Sequence, residues 1–122
     1  MAITRIIDEA RVDAHMSKAV VFGNFVFLSG QVASISASGN VADQTRETLQ
    51  IIDTILANVG TNKNRVISAT VHLADISTFD EMNEAWNLWV SKTNPPARTT
   101  VEARLARPEY KVEITIIAAL VD

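Results

Sequence analysis

The chain has no cysteine, which excludes a disulfide framework, a thiol nucleophile and a thiolate metal site. Its only histidines are His15 and His72. Neither has an Asp or Glu at a metal-ligand spacing, so no metal is expected, and His72 reads as a sheet-face residue. No serine sits in a nucleophile-elbow pattern. The SGN at 38–40 is a turn and not a phosphate cradle, because no glycine pattern with lysine opens a helix there. The longest apolar run, Ile116 to Val121, is too short to cross a bilayer. The opening MAITRIIDEARVD carries charges that include those at positions 5, 8, 9 and 11, which leaves no apolar signal core and makes a cytoplasmic location the expectation. Net charge is −3 with acids and bases interleaved, and no basic run marks a nucleic-acid grip.

What is present is an ordinary globular composition, 48% hydrophobic and 20% charged, in a length that fits one domain over 1–122. Two apolar stretches, AVVF and FVFLS, flank Gly23-Asn24, a two-residue turn suited to a tight hairpin. After a polar loop ending near Asn40, the residues Thr45, Thr48, Leu49, Ile52, Ile55, Leu56 and Val59 fall at helical spacing, and Gly60 sits at the left-handed cap. Residues 66–74 alternate, with Ile67, Ala69, Val71 and Leu73 expected on one face and Ser68, Thr70 and His72 on the other. Thr78-Phe79-Asp80-Glu81 predicts a capping box opening a second helix, with Phe79, Met82, Ala85, Trp86, Trp89 and Val90 as its buried stripe. Two strands close the chain, one from Arg98 and one from Lys111 to Val121. In the last, Val112, Ile114, Ile116, Ala118 and Leu120 form the core row. The pattern is an α+β sandwich, two helices covering one face of a sheet of about five or six strands. The uncovered face, expected to carry Thr70, Thr100, Thr115, Ile117 and Ala119, is neither fully polar nor fully apolar, which predicts packing against another copy of the chain.

The residues most suited to chemistry are Arg98 and the carboxylates Glu102 and Glu113. Pro95 and Pro96 stiffen the lead-in to Arg98. Alternation places Thr99, Val101, Ala103 and Leu105 on a core face and Arg98 with Glu113 on the open face, on neighbouring strands expected to pair as a hairpin. A guanidinium grips a carboxylate through two parallel hydrogen bonds. Spacing alone leaves Arg98 open to three roles: solvated surface, cross-strand ion pair or anchor for an acidic ligand.

The blocks GNFVFLSGQV, QTRETLQIIDTILANVG, VISATVHLADISTFDEMNEAW and PPARTTVEARL…KVEITIIA, in this order and spacing over about residues 17 to 119, resemble the RidA/YjgF family of reactive-intermediate (enamine/imine) deaminases. TNKNRVISATVHLADISTFDEMNEAWNLWV and PEYKVEI are similar to its YoaB-like branch. The resemblance implies a chorismate-mutase-like sandwich, one mixed sheet with two helices on one face, assembled through the sheet side as a homotrimer with a site in each subunit cleft. It implies that Arg98 holds the substrate carboxylate, that Glu113 positions the hydrolytic water, and that Asn83 and the Gly30 backbone contact the ligand.

Where the family commonly reads GPYSQA this chain has AHMSKA, so Met16 stands in place of a substrate-contacting tyrosine while Ser17 is retained. Thr100 and Thr115 stand where many members have a cysteine and a second glutamate. The implied reaction is hydrolysis of 2-aminoacrylate and related 2-imino acids to 2-keto acids and ammonia, with no cofactor. The alternative is a non-catalytic trimer that binds or senses a small carboxylate such as a keto acid. Neither nucleic acid nor a membrane is an expected partner.

Overall fold

Gly23 adopts φ +61°, the left-handed geometry that a side chain would resist, and with Asn24 it folds Ala19–Phe22 (β2) back onto Phe25–Leu28 (β3) as the sequence predicts. The computed structural model describes residues 1–8 and 15–121. Glu9 and Arg11 of the charged opening, and Ala14 of AHMSKA, lie outside the described residues. Ile3–Ile6 (β1), not anticipated from the sequence, adds an antiparallel edge to β2.

Val41–Asn58 forms α1. Asn40 caps it, its side-chain oxygen accepting from the Asp43 N–H at 2.8 Å, and Gly60 at φ +85° lets the chain leave. The buried face contains the expected apolar residues and also Gln44, fully buried. Its amide N–H donates to the carbonyls of Ala37 (3.0 Å) and Glu109 (2.9 Å), and its oxygen accepts from the Lys111 N–H (2.9 Å). A buried amide satisfied in this way ties the loop after β3 to the segment that enters the last strand.

Val66–Leu73 (β4) departs from strict alternation. A bulge between Val66 and Ser68 turns Val66 into the core and leaves Ile67 43% exposed. Ala69, Val71 and Leu73 remain buried as expected. The capping box does not form at the start of α2, Phe79–Trp89. Thr78 instead donates its hydroxyl to the Asp75 carbonyl (2.6 Å), and a 3-10 turn over Ile76–Thr78, capped by Asp75, leads in. The α2 stripe buries Met82, Ala85, Trp86 and Trp89, with Phe79 and Val90 packed against the core.

Ala97–Glu102 (β5) runs parallel to β4 at the sheet edge, and Val112–Ala119 (β6) pairs with β3 and β4, giving the order β1-β2-β3-β6-β4-β5. The expected β5–β6 hairpin is therefore absent. The α2 crossover delivers β5 parallel to β4, and the following loop passes over the end of β4, where Ala103 N–H bonds Leu73 O (2.9 Å) and Ala74 N–H bonds Lys111 O (3.0 Å).

The two helices cover the face that carries Val26, Ala69, Val71, Val112, Ile114 and Ile116. On the open face, Thr99, Thr70 and Thr115 stand side by side across β5, β4 and β6. Thr100, expected in that row, turns to the helix side opposite Val71, and Thr99 and Val101 are exposed instead of core. Phe22, Phe25 and Phe27 extend the open face, each more than two-fifths exposed. No helix of the described residues is long and apolar enough to cross a membrane.

Candidate active site

Arg98 enters β5 opposite Ala69, a helix-side residue that is 1% exposed. Residues opposite one another across a ladder share a sheet face, so its side chain lies against α2 and not on the open face. Its guanidinium carbon is 5.1 Å from the Trp86 ring centre and 5.5 Å from that of Phe79, and Nη1 donates to Asn83 Oδ1 at 2.8 Å. The i, i+4 pair Asn83 and Phe79, with Trp86 one turn on, makes a single helix face that holds the fork. Burial lowers the Arg98 pKa from the usual arginine value. No carboxylate among the described residues pairs with it, and only one of its five N–H donors is used on Asn83. Thr100, two residues on and on the same face, buries its hydroxyl oxygen with no partner.

Glu113 lies opposite His72 in the β6–β4 ladder, on the open face. His72 is thus the sheet-face residue expected, and its Nδ1 is buried without a partner. The Glu113 carboxylate accepts no hydrogen bond from a described residue. It rests on Gly30: a Cβ built at Gly30 would stand 2.8 Å from Glu113 Cδ and 3.0 Å from Oε2. Gln31, paired with Ile114, fixes the backbone there through N–H···O bonds of 2.9 and 3.0 Å. Glu113, Gly30 and Met16 line one cavity of about 430 Å³, which Lys18, Arg107 and Tyr110 complete. Ser17 is half-buried next to Met16 in the chain.

The site residues expected from the sequence therefore fall into two clusters. Arg98, Asn83 and Thr100 sit on the helix side at the edge strand, and Glu113, Gly30 and Met16 sit in the cavity. Arg98 and Glu113 do not share a face within one protomer, contrary to the alternation reading, because the parallel β4–β5 pairing inverts the face assigned to β5. Glu102 serves elsewhere, its carboxylate accepting the Ile76 N–H at 3.0 Å ahead of α2. Lys18 and Arg107 were missed. Their only signal is proximity to Met16 and Glu113 in sequence, and no periodicity singles them out.

Substitution of Gly30 tests the contact with Glu113. Gly30→Ala is expected to fold, since the side chain in the way can rotate, but to displace the Glu113 carboxylate. Any hydrolytic rate that depends on Glu113 should fall by about tenfold or more, in line with the sensitivity of catalysis to small misplacements. Wild-type turnover with an unchanged melting temperature would show that the carboxylate does not need this seat.

The loop that carries on from Gly30 is held by Glu47 of α1. Its carboxylate accepts from the backbone N–H groups of Ser34 (2.8 Å), Ile35 (3.0 Å) and Ser36 (2.6 Å) and from both serine hydroxyls. Desolvation pushes its pKa up, but these donors outweigh it and lower the value from 4.5 to about 2. The folded-state value lies below the unfolded one, so the stabilisation is fully present above about pH 4.5 and is lost as pH falls towards about 2. Urea midpoints should therefore fall over that window in the wild type and change less in Glu47→Gln. Parallel curves for the two proteins would show that the carboxylate contributes nothing through these bonds.

Residues 7–120 match the family model described as Endoribonuclease L-PSP. A RutC family protein of Haemophilus influenzae is 42% identical over 118 residues, spanning 97% of this chain and 98% of its own. The RutC family protein YoaB of Escherichia coli is 41% identical over 120 residues, 98% of this chain and 100% of its own. The crystal structure of a YjgF-family member from Neisseria meningitidis superposes with a TM-score of 0.91 at 39% identity, covering 100% of this chain and 98% of that one. Sequence blocks, sheet order and these likenesses agree: the chain belongs to the RidA/YjgF family, which includes the RutC and YoaB proteins and carries the chorismate-mutase-like fold.

Proposed function

We propose that the protein hydrolyses 2-imino acids and their enamine tautomers, such as 2-aminoacrylate, to 2-keto acids and ammonia. The observation that carries this reading is the Arg98 guanidinium, stacked on Trp86 and Phe79, aimed by Asn83 and lacking a counter-ion among the described residues. A rigid, partly desolvated cation with unused donors is suited to a small carboxylate. Glu113 supplies the complementary element, a carboxylate with no hydrogen-bond duty at the wall of a cavity.

Because these two groups lie on opposite faces of one sheet, the reading requires Arg98 of one copy to meet Glu113 of another. The exposed Phe22, Phe25 and Phe27 give the open face the apolar area an assembly would cover, and the family resemblance makes that assembly a homotrimer. Analytical ultracentrifugation at micromolar concentration should give about three times the chain mass of 13.3 kDa. A stable monomer would remove the shared site.

In such a cleft Arg98 fixes the carboxylate and so orients the adjacent C=N carbon. A water held by Glu113 adds to that carbon and gives its proton to the carboxylate. Return of that proton to nitrogen gives the neutral carbinolamine, and transfer of its hydroxyl proton to nitrogen, again through Glu113, lets the C–N bond break, releasing ammonia and leaving the C=O of a 2-keto acid. No organic cofactor enters this balance.

A small-carboxylate sensor would use the same clefts without turnover. The family model's description points to RNA instead, but the net charge of −3 offers no basic stripe for a phosphate backbone. The deciding experiment generates 2-aminoacrylate in situ with a serine or threonine dehydratase and follows ammonia release. Acceleration by the protein supports the deaminase, and binding of 2-oxobutanoate without acceleration supports the sensor.

A further inference from the structure

The cavity that holds Glu113 also holds two unengaged cations. Neither Lys18 Nζ nor the Arg107 guanidinium has a hydrogen-bond or ion-pair partner among the described residues. The cavity's other carboxylate, Asp8, already has an interaction of its own. Both cations are carried on pinned backbone. The Lys18 N–H donates to Ile6 O (2.7 Å) and its carbonyl accepts from the Ser29 N–H (3.0 Å), so β1 and β3 hold its stem from both sides. Arg107 opens a turn closed by Tyr110 N–H to Arg107 O (3.1 Å), and Gln44 clamps Glu109 and Lys111 just beyond it.

We propose that Lys18 and Arg107 bind a second carboxylate, so that the favoured substrates are imines of dicarboxylic amino acids. This deepens the deaminase reading and rests on it. A monocarboxylic imino acid places its one anion on Arg98, and nothing in it answers Lys18 or Arg107. An imine with a side-chain carboxylate satisfies both ends: the α-carboxylate goes to Arg98 of the neighbouring copy and the distal one to the cations beside Glu113. The cavity volume, about 430 Å³, accommodates a five-carbon chain with room to spare. Met16, 63% exposed at the same cavity, adds no charge that would oppose the distal group.

Calorimetric titration of the full chain with 2-oxoglutarate and with 2-oxobutanoate, at one ionic strength, tests this. The unaltered protein should bind 2-oxoglutarate the more tightly. Lys18→Met with Arg107→Met should narrow the ratio of the two affinities by about five- to tenfold, the scale of two partly solvated ion pairs. Arg107 is exposed, so Arg107→Met alone carries the test should Lys18→Met alter the circular dichroism spectrum. Equal affinity of the unaltered protein for the two acids overturns the proposal. So does equal weakening of both acids by the variants, which would assign the cations to the α-carboxylate or to general steering. Failure of the deaminase reading looks different: 2-aminoacrylate hydrolysis is not accelerated, whether or not the keto acids bind, or Arg98→Ala binds 2-oxobutanoate as the unaltered protein does.

Discussion

Arg98→Ala is expected to lose 2-keto acid binding and imine hydrolysis together while the chain stays folded. Each charge-assisted hydrogen bond of a bidentate pair contributes on the order of 1.5–3 kcal/mol, so loss of both weakens binding by about a hundredfold or more. The cost to folding is small by comparison. Two ring contacts and the bond to Asn83 are lost, on the order of 1–2 kcal/mol, but the desolvation of an uncompensated cation disappears with them. The β5 ladder on β4, from Ala97 to Glu102, is untouched. Arg98→Lys keeps the charge and loses the planar fork, so it should retain weak binding. Titration with 2-oxobutanoate decides the matter: unchanged affinity in a folded Arg98→Ala protein would assign the arginine to structure alone.

Alternation put the Arg98 side chain on the wrong face of β5. Arg98 stands out in the sequence because two prolines lead into a strand that opens with a guanidinium. Its neighbours Thr99 and Val101, expected to carry the core, are exposed, and Arg98 and Thr100 turn inward. Alternation distinguishes two faces of a strand but does not say which is which. On the edge strand β5 the more apolar row, Ala97, Thr99 and Val101, is the exposed one, because its pairing with β4 and not its own hydrophobicity decides which row meets the helices. In β6 the tie is broken decisively, because Val112, Ile114, Ile116 and Ala118 are fully buried and their alternates are not.

Other elements divide in the same way. The β2–β3 hairpin and α1 were legible because Gly23-Asn24, a long helical stripe and the Gly60 cap act locally. The β4 bulge was not, since an inserted residue leaves Ile67 looking like one more member of an apolar row. Strand β1 was too short for a period to show, and the β4–β5 partnership depends on a crossover that no local signal records. The resemblance named Arg98, Asn83, Glu113 and Gly30 without saying which of them meet; the contacts of Arg98 with Asn83 and of Glu113 with Gly30 are set by the fold, and the separation of the two clusters by the sheet order.

Glu113→Gln is the second large effect, and it separates chemistry from anchoring. The amide keeps the length and volume that lie over Gly30, so neither the cavity nor the strand is disturbed. What it loses is the capacity to accept a proton from the attacking water. General-base catalysis contributes roughly 10²–10⁴-fold, so kcat for 2-aminoacrylate or iminobutanoate hydrolysis should fall by about that factor. The affinity for 2-oxobutanoate should stay within about threefold of wild type, because the carboxylate anchor sits in the other cluster, a difference of under about 1 kcal/mol. The split is what gives the measurement its force. A variant that loses affinity as much as rate would place Glu113 in ligand binding, and one that turns over at the wild-type rate would leave the water without its base and return Glu113 to structural duty. Glu113→Ala, which empties the space over Gly30, should fall as far in rate. A rate well above that of the glutamine variant would mean that a second water had entered to do the carboxylate's work.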